Sequence, residues 1–333
     1  MAAKPRVAFI SCGGSISAVG LSSIDLIDYA DGCSFLTAQE LLSRYPEIAK
    51  IVDVAFVEHP KVSGAAITVA DWVYLLKSIH CAVAADSEIK GVVIAQGTAT
   101  LEETAYFLNL TLKVRTPVVL VGAQRPPTAL GSDAGMNLFN AFRTAISDAA
   151  IGQGALVVMN DEIHHSRDVS KTSTVRLQSF RSPDFGMLGQ ADIDAVRFYR
   201  TCRPQFDPIA TFTVDSCSSL PRVDVCYSYA GADGAAIDAF VAAGARGIVS
   251  AGFAPGLMTP GELNAVKRAM TKGVVIVQCN RAGLGRVPSR RHLRDLGIVT
   301  ADNLNPQKAR ILLMLALSGS DDVSWVQNCF ERY

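Results

Sequence analysis

Three short segments of this 333-residue chain put hydroxyl and amine side chains where they could attack a carbonyl carbon or move a proton. The first is Ser11-Cys12-Gly13-Gly14-Ser15-Ile16-Ser17. Paired glycines permit backbone angles closed to other residues and let a ligand approach the chain. A hydroxyl just after them can serve as a nucleophile, and nearby backbone N–H groups can hold an oxyanion. The same letters also describe a tight turn with solvated serines, and spacing alone leaves both readings open. The second segment is Gln96-Gly97-Thr98-Ala99-Thr100-Leu101-Glu102-Glu103-Thr104. Thr100 or Thr98 can cap a helix starting here, and Glu103, three residues after Thr100, fits a capping box. Thr98 is then the hydroxyl left free for chemistry. The third runs from Asp161 to Thr172 and contains Lys171. A lysine partly buried near a sheet end has a lowered pKa and can act as a base. An ordinary surface lysine fits the sequence equally well.

Two further motifs point away from cofactors. His164 and His165, with Glu162 and Asp168, match no zinc template in their spacing. Gly283-Leu284-Gly285-Arg286-Val287-Pro288 lacks the third glycine of a dinucleotide fingerprint, with Pro288 in its place. We therefore expect neither a metal nor an organic cofactor.

The elements that must position these segments are read from hydrophobic patterning. Short, continuous apolar runs at 7–10, 91–95, 117–121 and 156–159 read as buried parallel strands. Helical patterns at 101–110 and 135–149 alternate with them, as in βαβ units. The expected class is α/β with a mostly parallel sheet, in which ligands bind at the carboxyl ends of strands. Periodicity weakens over 201–219, which contains Pro204 and Pro208 and reads as a linker. The pattern then restarts, with strands at 223–227, 247–250 and 274–278 and helices at 235–243 and 260–270. A final long helix is expected at 305–317, with Pro306 in its first turn. The domains are thus expected at 1–200 and 220–333.

Composition bounds the partners. Lys and Arg total 31 and Asp and Glu total 31, so no net positive charge favours a nucleic acid. Hydrophobic residues make up 49% and charged residues 19%, enough to build a large core. The chain contains no apolar run long enough to span a membrane, and the first residues do not read as a signal peptide. The eight cysteines are scattered without a C-x-x-C pair, which suits a thiol-reducing compartment. A cytoplasmic protein is expected.

Taken in order, these segments resemble the bacterial-type L-asparaginase/glutaminase family over nearly the full chain. The family's T-G-G-T-I-A is similar to Cys12-Gly13-Gly14-Ser15-Ile16-Ser17, and its H-G-T-D-T-x-E-E-T-A to the run from Gln96 to Ala105. Gly122-Ala123-Gln124-Arg125-Pro126, Asp133-Ala134-Gly135-Met136-Asn137-Leu138, Arg167-Asp168-Val169-Ser170-Lys171-Thr172 and Leu304-Asn305-Pro306-Gln307-Lys308-Ala309-Arg310 resemble further blocks. The resemblance implies a larger N-terminal flavodoxin-like lobe and a smaller C-terminal α/β lobe. It implies a homotetramer, a dimer of dimers, with the site completed by a neighbouring subunit. It also implies covalent hydrolysis of a small-molecule amide by water. Ser15 would stand for the nucleophilic threonine and Tyr29 for the mobile-loop tyrosine that activates it. Thr98 and Lys171 would stand for the second hydroxyl and the lysine, and Ser15 or Thr98 would be acylated. Gly14, Gly64, Gly97, Ala99, Ala123 and Gln124 would line the substrate.

The departures from the family pattern concentrate in the site. Ala99 replaces the signature aspartate, which in the family sits beside the lysine and contacts the substrate's α-ammonium group. Gly64 falls where the family places a serine on the substrate's α-carboxylate. Arg290 or a neighbour falls near the partner-subunit acid. All three changes weaken the grip on an amino-acid head group and keep the nucleophile region. The expected substrate is therefore an amide, lactam or cyclic imide without an α-ammonium group, with Arg290 or Arg291 on its anion. L-asparagine or glutamine hydrolysis by a variant site, and a non-catalytic binding role, are the alternatives.

Overall fold

The computed structural model describes residues 3–30, 34–201, 212–215 and 220–333. The chain divides into two compact units, Met1–Thr211 and Phe212–Tyr333. Most of the expected linker, 202–211 and 216–219, lies outside the described residues.

In the first unit the strands are β1 (Arg6–Ser11), β2 (Asp53–Val57), β3 (Ile89–Ala95), β4 (Val118–Val121), β5 (Ala155–Met159), β6 (Glu162–His165), β7 (Ser170–Lys171), β8 (Phe180–Arg181), β9 (Gly189–Ala191) and β10 (Val196–Phe198). Among the described residues, eight of them form one sheet in the order β10-β9-β6-β5-β4-β3-β1-β2. The pairs β1–β2, β1–β3, β3–β4 and β4–β5 are all parallel. Read from one edge, the parallel part runs 2-1-3-4-5, the flavodoxin-like order, whose topological switch point lies between β1 and β3. The segments holding Ser15 and Thr98 leave the carboxyl ends of those two strands. Beyond β5 the sheet turns antiparallel through β6, β9 and β10. These short strands lack the long apolar runs that mark buried parallel strands, so their patterning does not distinguish them from loops.

The central strands are almost completely buried, and their side chains form the core with Leu138, Ala141 and Phe142 of the helix Ala134–Ala145. This helix is shorter than the pattern at 135–149 suggests. It ends at Ile146, Ser147 is extended, and a 3-10 turn Asp148–Ala150 follows. The 17-residue helix Val69–Ala85, with a capping box from Thr68 to Asp71, was not anticipated. Its apolar and β-branched residues blur the helical period.

The second unit holds a parallel sheet of β11 (Val223–Tyr227), β12 (Gly247–Gly252), β13 (Val275–Asn280) and β14 (Val299–Thr300), in that order. Ile248, Ile276, Ile237 and Val266 anchor its core. The long helix runs Pro306–Gly319 with Asn305 capping it, but it is not the last, since Val323–Arg332 forms another. Asp322 starts that helix by accepting a hydrogen bond from the Trp325 N–H at 2.8 Å. Among the described residues, no helix is long and apolar enough to cross a membrane.

Candidate active site

Three loops meet at the switch point through glycines. Gly14 has φ +86°, and a Cβ built there would lie 2.1 Å from the Cα of Gly97. A Cβ on Gly97 would in turn lie 3.1 Å from the Cα of Gly64. Gly14 and Gly97 let the loops after β1 and β3 touch backbone to backbone, and the loop of Gly64 closes on them. The third loop is tied in by the Val62 N–H, which donates to the Cys12 carbonyl at 2.9 Å.

A cavity of about 560 Å³ opens over this junction. Gly14, Ser15, Tyr29, Gly64, Gly97, Thr98, Ala99, Gln124 and Lys171 all line it. Nine of the candidate residues read from the sequence thus line one cavity. Ala123 does not line the cavity, because its side chain is fully buried in the core, and the next residues, Gln124 and Arg125, face the cavity instead. Arg290 belongs to the second unit, where it precedes the short helix Arg291–Asp295, and the cavity is lined by first-unit residues.

Two hydrogen-bonded pairs of polar side chains face the cavity. Ser15 Oγ lies 2.8 Å from the Tyr29 hydroxyl. Ser15 opens a 3-10 turn, Ser15–Ser17, whose N-cap is Gly14. Tyr29 is presented by a second 3-10 turn, Asp28–Ala30, which the Asp25 carboxylate organises. Asp25 accepts hydrogen bonds from the backbone N–H of Asp28 at 3.1 Å and of Tyr29 at 3.0 Å. Lys171 Nζ donates to Thr98 Oγ1 at 2.7 Å. Thr98 is buried and Lys171 half-buried. Burial pushes the Lys171 ammonium below the usual lysine range, while the charge of Glu102 opposes that shift. Ala99 thus removes the signature acid, but Glu102, in the first turn of the next helix, still acts on the lysine.

Other residues hold these pairs in place. Lys171 sits on β7, paired with β8 through Lys171 and Phe180. Gln124 Nε2 donates to Ser179 Oγ, fastening that hairpin to the loop after β4. Asp133 fixes the same loop by accepting from the N–H groups of Gln124 at 3.0 Å and Arg125 at 2.9 Å. Behind Thr98, Thr104 Oγ1 accepts from Gln96 Nε2 at 2.9 Å and Trp72 Nε1 at 2.8 Å. Asp25, Asp133 and the hairpin tie escape a sequence reading, because each acts through backbone N–H groups or across long separations.

The expected capping box at Thr100 does not form. Thr100 is the N-cap residue of the helix Leu101–Thr111, but its side chain makes no cap hydrogen bond. Its hydroxyl donates instead to the Gly64 carbonyl at 2.8 Å. Cys12, within the first motif, is no rival nucleophile, because burial pushes its thiol up to about 12. His164 lies on buried β6, with Nδ1 2.9 Å from Ser182 Oγ and Nε2 3.2 Å from the Glu162 carboxylate. Among the described residues, no group of three His, Cys, Asp or Glu could hold a metal.

Residues 6–203 match the family domain described as Asparaginase, N-terminal, and residues 222–330 match the Glutaminase/Asparaginase C-terminal domain. The chain belongs to the bacterial-type asparaginase/glutaminase family. It is 36% identical to a probable periplasmic L-asparaginase of Haemophilus influenzae, over 99% of this chain and 93% of that protein. It is also 36% identical to L-asparaginase 2 of Bacillus subtilis, over 99% of this chain and 87% of that one. The crystal structure of a probable cytoplasmic L-asparaginase from Campylobacter jejuni superposes with a TM-score of 0.94 at 36% identity, covering 99% of this chain and all of that one. Membership makes the chain an asparaginase-family amidohydrolase, a hydrolase of carbon–nitrogen bonds other than peptide bonds.

Proposed function

We propose that this amidohydrolase cleaves a small amide lacking an α-ammonium group: a carboxylate-bearing amide, a lactam or a cyclic imide. One observation carries the reading. No Asp or Glu is found among the described residues lining the cavity, while Arg125 and Lys171 are. An ammonium group placed there would lose water without gaining an anionic partner, whereas a carboxylate would gain the Arg125 guanidinium.

In this reading Ser15 Oγ attacks the carbonyl carbon and passes its proton to Tyr29. The backbone N–H groups of Ser15 and Thr98 hold the tetrahedral oxyanion. The C–N bond then breaks, and the nitrogen leaves with a proton delivered through the Tyr29 hydroxyl. Water attacks the resulting ester, the Thr98–Lys171 pair takes its proton and returns it to Ser15 Oγ as the ester C–O bond breaks, and the carboxylic acid departs with the Ser15 hydroxyl restored. Thr98, bonded to Lys171, is the second candidate for acylation. A homotetramer, with the partner's Arg290 at the substrate anion, and cytoplasmic residence belong to the same proposal. The free thiols of Cys12, Cys81, Cys226, Cys279 and Cys329 are compatible with that compartment.

The test is a hydrolysis assay of the purified protein over asparagine, glutamine, succinamate and cyclic imides, with ammonia release and ring opening both read. Succinamate or an imide should be turned over well ahead of asparagine, and Ser15→Ala should abolish the activity. Brisk asparagine turnover would establish the second reading, an L-asparaginase with a variant site, which the names of the relatives favour. Full activity in Ser15→Ala would move the nucleophile to Thr98.

A further inference from the structure

The cavity's lining divides by chemistry. Ser15, Tyr29, Thr98, Gln124, Arg125 and Lys171 are polar, while Leu26, Ile27, Phe35 and Val175 present large apolar side chains to the same space. Ile27 is 81% exposed, Val175 72% and Leu26 41%, so these groups face solvent across the mouth of the cavity. Leu21 and Ile24, in the segment that carries Tyr29, are exposed as well. That segment is anchored to the loop after β4, because the Gly20 N–H donates to Thr128 Oγ1 at 2.9 Å and the Leu130 N–H to the Ser23 carbonyl at 2.7 Å. Scattered exposed apolar residues are ordinary, but a cluster at a cavity mouth marks a binding surface. The volume of about 560 Å³ falls in the range of sites that enclose drug-sized molecules, beyond the needs of a four-carbon amide.

We propose that the substrate carries a compact apolar group, branched aliphatic or aromatic, beside its amide, and that Leu26, Ile27 and Val175 select it. The inference rests on the proposed amide hydrolysis and narrows its substrate class. The polar end of the cavity holds the amide and the anion. The apolar side chains cover the remaining body and shield the carbonyl from bulk water. A zwitterionic four-carbon amide would leave those side chains in water.

The experiment compares succinamate with derivatives bearing methyl, isobutyl or benzyl on the carbon next to the carboxylate, with asparagine alongside. Values of kcat/KM are measured on the wild-type protein, and Kd on Ser15→Ala by calorimetry, so that binding is read without turnover. We expect kcat/KM to rise, and Kd to fall, about tenfold from succinamate to the isobutyl compound, the lower end of what apolar complementarity gives. Ile27→Ser and Val175→Ser should each remove most of that gain, lowering the isobutyl value more than the succinamate value. A flat or falling series, equal losses on both substrates, or no binding of any member would overturn the proposal. So would a change in oligomeric state in Ile27→Ser by sedimentation, which would assign these side chains to a second copy of the chain. Asparagine outpacing every succinamate would instead overturn the amide reading beneath it, whatever the substituent effect.

Discussion

The Thr100 hydroxyl donates a 2.8 Å hydrogen bond to the Gly64 carbonyl, joining the start of one helix to a loop 36 residues earlier. Gly64 lies against Gly97, and Gly97 against Gly14. The bond therefore holds the third of the three loops whose contact forms the cavity floor.

Thr100→Val keeps the shape of the side chain and removes this donor. We expect a stability loss of about 1 kcal/mol, the usual net value of one such bond. The floor should also loosen, raising KM several-fold while kcat changes little. Denaturant unfolding and steady-state kinetics on the best amide substrate measure both. An unchanged KM would show that the Gly64 loop is held without Thr100.

Tyr29 and Asp25 separate chemistry from positioning. Tyr29→Phe deletes the hydroxyl 2.8 Å from Ser15 Oγ and keeps the ring. Loss of a proton-transfer group costs about 10²-fold or more in rate. We expect a fall of that size in kcat with an unchanged melting temperature. Asp25→Ala removes the acceptor of the Asp28 and Tyr29 N–H groups and leaves the hydroxyl in place. It should raise KM and lower kcat together, by less than Tyr29→Phe lowers kcat, with increased protease cleavage near residue 25.

Lys171 sets a pH dependence whose sign follows from its burial. Desolvation lowers its pKa from the ordinary 10.5, with Glu102 opposing. The neutral amine is the basic form, so activity should rise with pH along a limb lying below the ordinary lysine range. The unfolded chain holds the proton more tightly than the folded one. Stability should therefore rise with pH between the folded-state pKa and 10.5. Lys171→Met should abolish the activity limb and that part of the stability slope. A kcat/KM profile and pH-dependent melting curves read the two separately.

Much of this candidate site is legible in the letters because its polar groups lie in local motifs. Ser15 follows paired glycines, Thr98 follows Gly97, and each segment follows a strand that reads as a buried apolar run. What stays hidden is tertiary. Asp25 acts by accepting backbone N–H groups, and Glu102 matters only because folding brings its charge near Lys171. Thr100 misleads for the same reason, since its local partner would be a helix N–H and its actual partner is the Gly64 carbonyl. Strands β9 and β10 are three residues each, too short for a period of two to stand out.

Ala99→Asp is the sharpest test of how the cavity selects by charge. Ala99 lines the cavity beside Thr98, and the described lining holds Arg125 and Lys171 with no acid. An aspartate there gives an ammonium-bearing substrate its missing partner and repels a substrate that carries only a carboxylate. The ratio of kcat/KM for asparagine over succinamate should rise about tenfold, because position 99 is exposed and water screens the new charge. The new carboxylate also favours the ammonium form of Lys171, so the acid limb of the pH profile should move up. Gly64→Ser adds a hydroxyl where a Cβ would lie 3.4 Å from the Ala99 Cβ, an ordinary contact. Combined with Ala99→Asp it should raise the ratio further through the α-carboxylate. If Ala99→Asp shifts the pH limb and leaves the ratio unchanged, the carboxylate reaches Lys171 but not the substrate, and head-group selection lies elsewhere in the cavity.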